Sequence, residues 1–459
     1  MTVRSVNPRT GQLIRATASS TPSEVRNAIT RARRCQKERY KDTTREDRAS
    51  LVKELEAVCL RHKDEVVGLM HEEVGIPRKA LAGAYSSALS GTDRYIEEYL
   101  SAGDRQYPLP SSWTATDANI SFPPHGVIGH IGVWNFPFWQ TMITAIPALL
   151  TGNAVVFKPS ELSTLSGLRI TELVHEAGYP RDMFVPVVGG ADVGKQMVAS
   201  DCDALVFTGG IETGLDIVRN AGIRPMILEL SGNDAGIVRA DADLEQAARG
   251  IAYGTFGRGG QVCVRIKRVY AHVDVVDELL DRLVGIAERL SLEEDVGPLI
   301  REEAREKVER AVRDAVEKGA ELLCGGRKPD GPGFYYLPTV LRHSDDDLEV
   351  VRKETFGPVC PVRAVRDDDE AVRLANDTRY GLGATVWTSD PERGAEIAQE
   401  LEAGNVWINE CVRTLPGGEY FQGWKQSGIP SSMSRLQMFT KKKTVVAHRS
   451  CEPRAHWFA

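Results

Sequence analysis

From about residue 126 to 230 the chain alternates short apolar runs with longer helical stretches, and no other feature constrains its fold as tightly. The runs "GVIGHIGVW", "NAVVF", "MFVPVV", "ALVF" and "MILEL" read as strands. Between them lie helical segments such as "TLSGLRITELVHEAG" (164–178) and "IETGLDIVRNAG" (211–222), each closing on a glycine suited to a left-handed C-terminal cap. Strands joined by crossovers of this length pair in parallel with right-handed connections, so the expected class is α/β, with an open doubly wound sheet. A second alternation runs from about 234 to 409, with helical "VVDELLDRLVGIAERL" and "EAVRLANDT" and strands "LGATVWTS" and "GNVWIN", and predicts a second α/β domain.

In a doubly wound sheet ligands bind beyond the carboxyl ends of the strands. The residues standing there are "WN", "KPSE", "GGAD", "TGG" and "SGND". Amide donors, a cation, a carboxylate for sugar hydroxyls and bare glycine backbone suit a dinucleotide. Two phosphate-loop patterns fail on inspection. "GGADVGKQ" (189–196) has Gln196 where a magnesium-holding hydroxyl is required, and the strict G-x-G-x-x-G fingerprint is missing. Cys263, in "RGGQVCVRIKR" (258–268), falls one helix after the nucleotide sheet and is placed to face the cleft between the two domains.

Composition removes other classes of function. A net charge of -7, from 57 basic and 64 acidic side chains spread along the chain, leaves no basic block for nucleic acid. Residues 118–157 contain no Asp, Glu, Lys or Arg, but Pro137, Gln140, Pro147, Gly152 and Asn153 interrupt the stretch, which reads as buried core and not as a membrane span. The N-terminus lacks the pattern of a secretory signal. The eight cysteines show neither a C-x-x-C pair nor zinc-type spacing, so no metal site is expected and a reducing, cytoplasmic setting is.

The ordered motifs "GVWNFP", "GNAVVFKPSE", "LELSG", "GGQVC" and "ETFGPV", ending in "GWKQSG", resemble the aldehyde dehydrogenase superfamily over nearly the whole chain. The resemblance implies NAD(P)-dependent oxidation of an aldehyde to an acid through a covalent thioester. Cys263 matches the nucleophile, Asn135 the side-chain donor of the oxyanion hole, and Glu229 the base that activates water. Family members that pass the acyl group to coenzyme A generally lack that carboxylate, so hydrolysis is expected. Lys158 and Glu161 match the positions that bind the adenine-side ribose, and a glutamate there favours NAD over NADP, with NADP as an alternative. Glu354 matches the carboxylate that holds the nicotinamide ribose, with Phe356 beside it. Trp134, Ser160, Gly190, Thr208, Gly209, Gly210 and Leu230 complete the expected cofactor channel.

Each member of the catalytic trio also has a plain structural reading: Asn135 as a helix cap, Glu229 as a paired carboxylate, Cys263 as a small core residue. The sequence also departs from the family pattern. Ser231 and Gly210 stand where glycine and a pyrophosphate-binding serine are usual, and Thr144 and Ser432 stand where some members carry a lysine and a glutamate that relay protons. Arg413, in the expected substrate loop, with Arg258 and Arg265 flanking the thiol, points to an aldehyde bearing a carboxylate or phosphonate; the alternative is a neutral aliphatic or aromatic aldehyde.

The expected organisation is a nucleotide-binding domain (1–106 and 123–230), a catalytic domain (231–425) and an oligomerisation arm (107–122 and 426–459). By resemblance, the arm segment 107–122 pairs across subunits with the strand near "KKKTVVAHR", giving a homodimer or homotetramer. A non-catalytic scaffold and an acyltransferase without redox chemistry are the rival readings. The first would lack Cys263, Asn135 or Glu229, and the second would not need Lys158 with Glu161.

Overall fold

The structure is a computed structural model that describes residues 1–111, 113, 115–418, 420–429 and 435–449. The five predicted strands form one parallel sheet. Its spatial order is Phe184–Pro186, Ala154–Lys158, Val127–Ile131, Ala204–Thr208, Met226–Glu229, which places the earliest of these five strands at the centre and reverses the strand order beside it. All five carboxyl ends therefore lie along one edge. The strands Val127–Ile131 and Ala154–Lys158 are buried at every position, as expected for a sheet covered on both faces.

The uncharged stretch is explained by the helix Pro137–Leu150, which is buried on nearly every side against this sheet. No helix among the described residues is long and apolar enough to cross a membrane. N-terminal helices, among them Pro22–Asp42 and Arg45–Arg61, complete the same core.

A second sheet has seven strands in the order Glu321–Cys324, Thr339–His343, Val359–Val365, Ile266–His272, Asp234–Val238, Gly383–Trp387, Asn405–Ile408. Only the edge strand Glu321–Cys324 is antiparallel. The segment around "QSG" returns to the first sheet: Leu230 N donates to the Ser427 carbonyl at 2.8 Å and Ile429 N to the Leu228 carbonyl at 3.2 Å. This pins the chain immediately around Glu229.

The arm corrects one expectation. Lys443–His448 pairs antiparallel with Thr116–Ser121 of the same chain, in register from Lys443↔Ser121 to His448↔Thr116, and Arg105–Gln106 adds a third strand. The pairing is intramolecular because Asn153 Nδ2, donating to the Phe439 carbonyl at 2.9 Å, and a Pro124↔Thr440 bridge bring the two segments together. The outer edge of Lys443–His448 has no strand partner among the described residues, and Val445 and Val446 stand exposed on it.

Candidate active site

The loop after the central strand of the first sheet carries Trp134 and Asn135, and the helix Pro137–Leu150 starts directly beyond. Asn135 does not cap that helix; its Nδ2 donates to the Gln261 carbonyl at 2.8 Å. One amide N–H is thus used to aim the group at the segment before Cys263, and the other is left for an incoming oxygen.

Cys263 is delivered by a turn in which Arg258, Gly259 and Gly260 all have left-handed backbone, with φ of 59°, 65° and 68°. At Gly260 nothing larger fits, because a Cβ would stand 2.2 Å from the carbonyl oxygen of Gly357 in "ETFGPV". Close backbone contact thus sets two of the sequence motifs against each other. Gly260→Ala is expected to destabilise the protein by about 2–4 kcal/mol, read as a lower denaturant midpoint; an unchanged midpoint would show that the turn is not constrained there.

Gln261 holds the far side of the turn. Its Nε2 donates to the carbonyls of Arg258 (3.2 Å) and Pro298 (3.0 Å), and its Oε1 accepts from Ile300 N (2.9 Å). Sequence reasoning quoted this residue within "GGQVC" without giving it a task. Lys267 was missed altogether. The signal for it was a lysine two residues into a run, "RIKRVY", that has to be buried in a central strand.

Cys263, Asn135 and Glu229 open on one cavity of about 1030 Å³, shared with Trp134, Thr208, Gly209, Gly210, Leu230, Glu354 and Phe356. The Trp134 and Phe356 rings meet edge to face at 5.8 Å. Burial pushes the Cys263 thiol up to about 12, with Lys267 opposing the rise. Glu229 is 3% exposed, and neither carboxylate oxygen has a hydrogen-bond partner among the described residues. Burial alone raises its pKa well above the usual carboxylate range. A buried carboxyl without internal partners is costly to keep unless it serves a guest or a water. The paired-carboxylate reading therefore does not describe Glu229.

Lys158, Ser160, Glu161 and Gly190 lie outside this cavity's lining, on the same carboxyl edge of the first sheet. Lys158 is buried, donates to the Pro159 carbonyl at 3.1 Å, and stands 3.5 Å from the half-exposed Glu161 carboxylate. Its stem runs beside Gly194, inside the helix Ala191–Val198 that "GGADVGKQ" opens.

The three arginines separate. Arg265 is withdrawn from the substrate set: its guanidinium is buried away from the cavity and donates to the carbonyls of Ile266 (3.1 Å), Val359 (3.2 Å), Thr255 and Thr355. Carbonyls at the end of the helix Leu244–Phe256 draw the cation inward. Arg413 lies at the mouth, 77% exposed at its side chain and paired with Glu410 at 3.1 Å. Arg258 lines the cavity, stacks on Phe136 with its guanidinium carbon 3.9 Å from the ring centre, and donates to the Asn135 carbonyl at 2.6 Å. It has no carboxylate partner among the described residues, and its Nε is buried without a partner. Thr144 is enclosed in its helix, donating to the Gln140 carbonyl at 3.0 Å, and does not reach the cavity. Ser432 lies outside the described residues.

Comparison with known proteins bears on the family and the fold. The profile of the "Aldehyde dehydrogenase family" matches residues 1–445. A betaine aldehyde dehydrogenase of Bacillus subtilis (strain 168) is 38% identical over 371 residues, covering 76% of this chain and 74% of that protein. A succinate-semialdehyde dehydrogenase [NADP(+)] of Mycobacterium avium (strain 104) is 32% identical over 463 residues, covering 97% and 96%. The crystal structure of a betaine aldehyde dehydrogenase from Staphylococcus aureus in complex with NAD+ superposes with a TM-score of 0.93 at 28% identity, covering 100% of this chain and 94% of that one.

Proposed function

The chain belongs to the aldehyde dehydrogenase family, and on that premise we propose that it oxidises an anionic aldehyde to the carboxylic acid, with Cys263 as nucleophile and NAD(P)+ as hydride acceptor. One observation carries the reading: a half-buried thiol, an amide with one N–H committed to a carbonyl, and a buried carboxyl with no hydrogen-bond partner among the described residues share a single cavity.

The Cys263 thiolate adds to the carbonyl carbon, and the electron pair of the C=O bond moves to oxygen. The Asn135 amide and the Cys263 backbone N–H receive that oxyanion, each donor contributing about 3 kcal/mol. NAD(P)+, when bound, would supply the hydride acceptor, and loss of the hydride leaves a thioester on Cys263. Glu229 then takes a proton from water, whose oxygen attacks the thioester carbon and releases the acid and the Cys263 thiolate. With Thr144 enclosed, Glu229 returns its proton through water in the cavity.

The residues present fit such a cofactor. Gly209 and Gly210 bring bare backbone into the cavity at a helix start, Glu354 places a carboxylate there, and Lys158 with Glu161 sits farther along the same edge. Glu161 disfavours a phosphorylated ribose, which supports NAD over NADP. The related Staphylococcus protein binds NAD+, and the mycobacterial relative is named for NADP(+).

Arg258 supports the anionic substrate. Burial lowers its pKa to about 10, so it stays charged at neutral pH, and among the described residues its terminal nitrogens have only the Ala80 (3.3 Å) and Asn135 carbonyls as acceptors. A carboxylate or phosphonate at the far end of the aldehyde would satisfy it. The succinate-semialdehyde relative is named for a substrate of that kind. Arg258→Met is expected to raise KM for a carboxylate-bearing aldehyde about 30-fold or more, the equivalent of about 2 kcal/mol for a charge-assisted hydrogen bond, with less than a threefold effect on a neutral aldehyde of equal size. Equal effects on both would assign the cavity to neutral substrates.

For organisation, we read 1–106 with 123–230 as the nucleotide unit and 231–425 as the catalytic unit. The remainder is an arm whose free edge joins subunits into a dimer or tetramer. The seven described cysteines are all free, which supports a cytoplasmic setting.

A further inference from the structure

Lys267 lies in the strand Ile266–His272, at the centre of the seven-stranded sheet, and its side chain is 0% exposed. An ammonium so enclosed must have partners that compensate its lost hydration. Two are evident: Nζ donates to the carbonyl oxygen of Cys263, and it stands 3.2 Å from Glu354 Oε1. The same Cys263 carbonyl is closed on its other side by Gly232, where a Cβ would stand 2.5 Å from it. One cation thus touches both the backbone of the nucleophile and the carboxylate placed at the nicotinamide ribose.

We infer that Lys267 is a positioning residue that fixes the Cys263 carbonyl, holds Glu354 in place, and supplies the positive charge that favours the thiolate. The inference rests on the functional reading above. The groups whose charge reaches the thiol come from five elements. They are Lys267 from its strand, Glu354 from the loop before Val359–Val365, Asp234 from the start of Asp234–Val238, Glu229 from the end of Met226–Glu229, and Arg258 from the preceding turn. Three carboxyl groups work against ionisation, and Lys267 is the opposing cation bonded to the cysteine itself. Glu354 has a double effect: it orients the lysine, and it offsets part of the lysine's charge at the sulfur. A ribose hydroxyl donating to Glu354 would draw the carboxylate's charge away from Lys267 and leave more of the cation's field for the thiol. Cofactor binding and thiol ionisation are thereby coupled through one side chain.

The test is the pH dependence of iodoacetamide alkylation at Cys263, read by mass spectrometry on its own peptide in cofactor-free enzyme. Lys267→Met is expected to move the midpoint up and slow alkylation at mildly alkaline pH about tenfold. Glu354→Gln is expected to move it the opposite way, with alkylation faster by about threefold or more. A residue that only packs would not produce opposite shifts from the two partners. Thermal melting identifies a variant that has not folded, and if Lys267→Met fails to fold, Glu354→Gln decides alone. A wild-type midpoint in the folded variants overturns the inference. Turnover plays no part in this readout, so a failure here is distinct from a failure of Cys263 as nucleophile, which would appear as activity surviving its replacement.

Discussion

Cys263→Ala is expected to lower aldehyde-dependent NADH formation by about 10⁴-fold or more while leaving cofactor binding in place, seen as an unchanged thermal shift with NAD. No other described thiol can take over. Cys59, Cys202, Cys360 and Cys411 are buried in the two cores, and Cys35 and Cys324 lie outside the cavity. Cys263 alone among them faces Asn135 and Glu229. Without sulfur there is no tetrahedral alkoxide, and a planar carbonyl has no hydride ready to leave. A variant that keeps a tenth of wild-type activity would show that hydride transfer does not depend on the Cys263 sulfur.

Glu229→Gln is expected to divide the reaction in two. The glutamine keeps the volume but cannot take a proton from water, so steady-state turnover should fall about 10²–10⁴-fold, while a first burst of NADH persists. The pH profile carries the sign of the burial effect. Because burial raises the carboxyl well above its ordinary range, the base form is lost as pH falls, starting at a higher pH than for an exposed glutamate. Activity limited by deacylation should therefore rise with pH along a limb that is missing in Glu229→Gln. Ionisation of the buried thiol also rises with pH, since at about 12 it is almost wholly protonated at neutral pH. Loss of the burst together with turnover would instead make Glu229 the base for Cys263 itself.

The first sheet was legible because its strands are short, mostly apolar runs separated by helical stretches, and burial on both faces requires such runs. The candidate trio could be singled out because Asn135 lies just after one strand, Glu229 ends another and Cys263 follows a turn, and connectivity fixes where each of these comes in the fold. The second sheet was less so. Its central strand, Ile266–His272, begins beside Arg265 and contains Lys267 and Arg268, and charges in a strand suggest solvent. Here backbone carbonyls and a carboxylate take the place of water. Arg268 bonds to the carbonyls of Asn233, Leu374 and Ala375, as Arg265 does to its own set. Proximity of Arg265 to the thiol along the chain therefore did not put it in the substrate cavity. The arm's partner strand was legible, but the chain that supplies it was not, for another reason. Alternation marks Thr116–Ser121 as a strand needing a neighbour, but only the tertiary link through Asn153 and Pro124 decides that the neighbour comes from the same chain.

The central claim is a covalent bond between sulfur and substrate carbon, and Glu229→Gln provides the means to see it. Mixed with NAD and an anionic aldehyde, quenched in acid and digested, this variant should give a Cys263 peptide heavier by the mass of the aldehyde less two hydrogens, with NADH formed in equal amount. NADH production with an unmodified Cys263 peptide, or the same adduct on another residue, would contradict it.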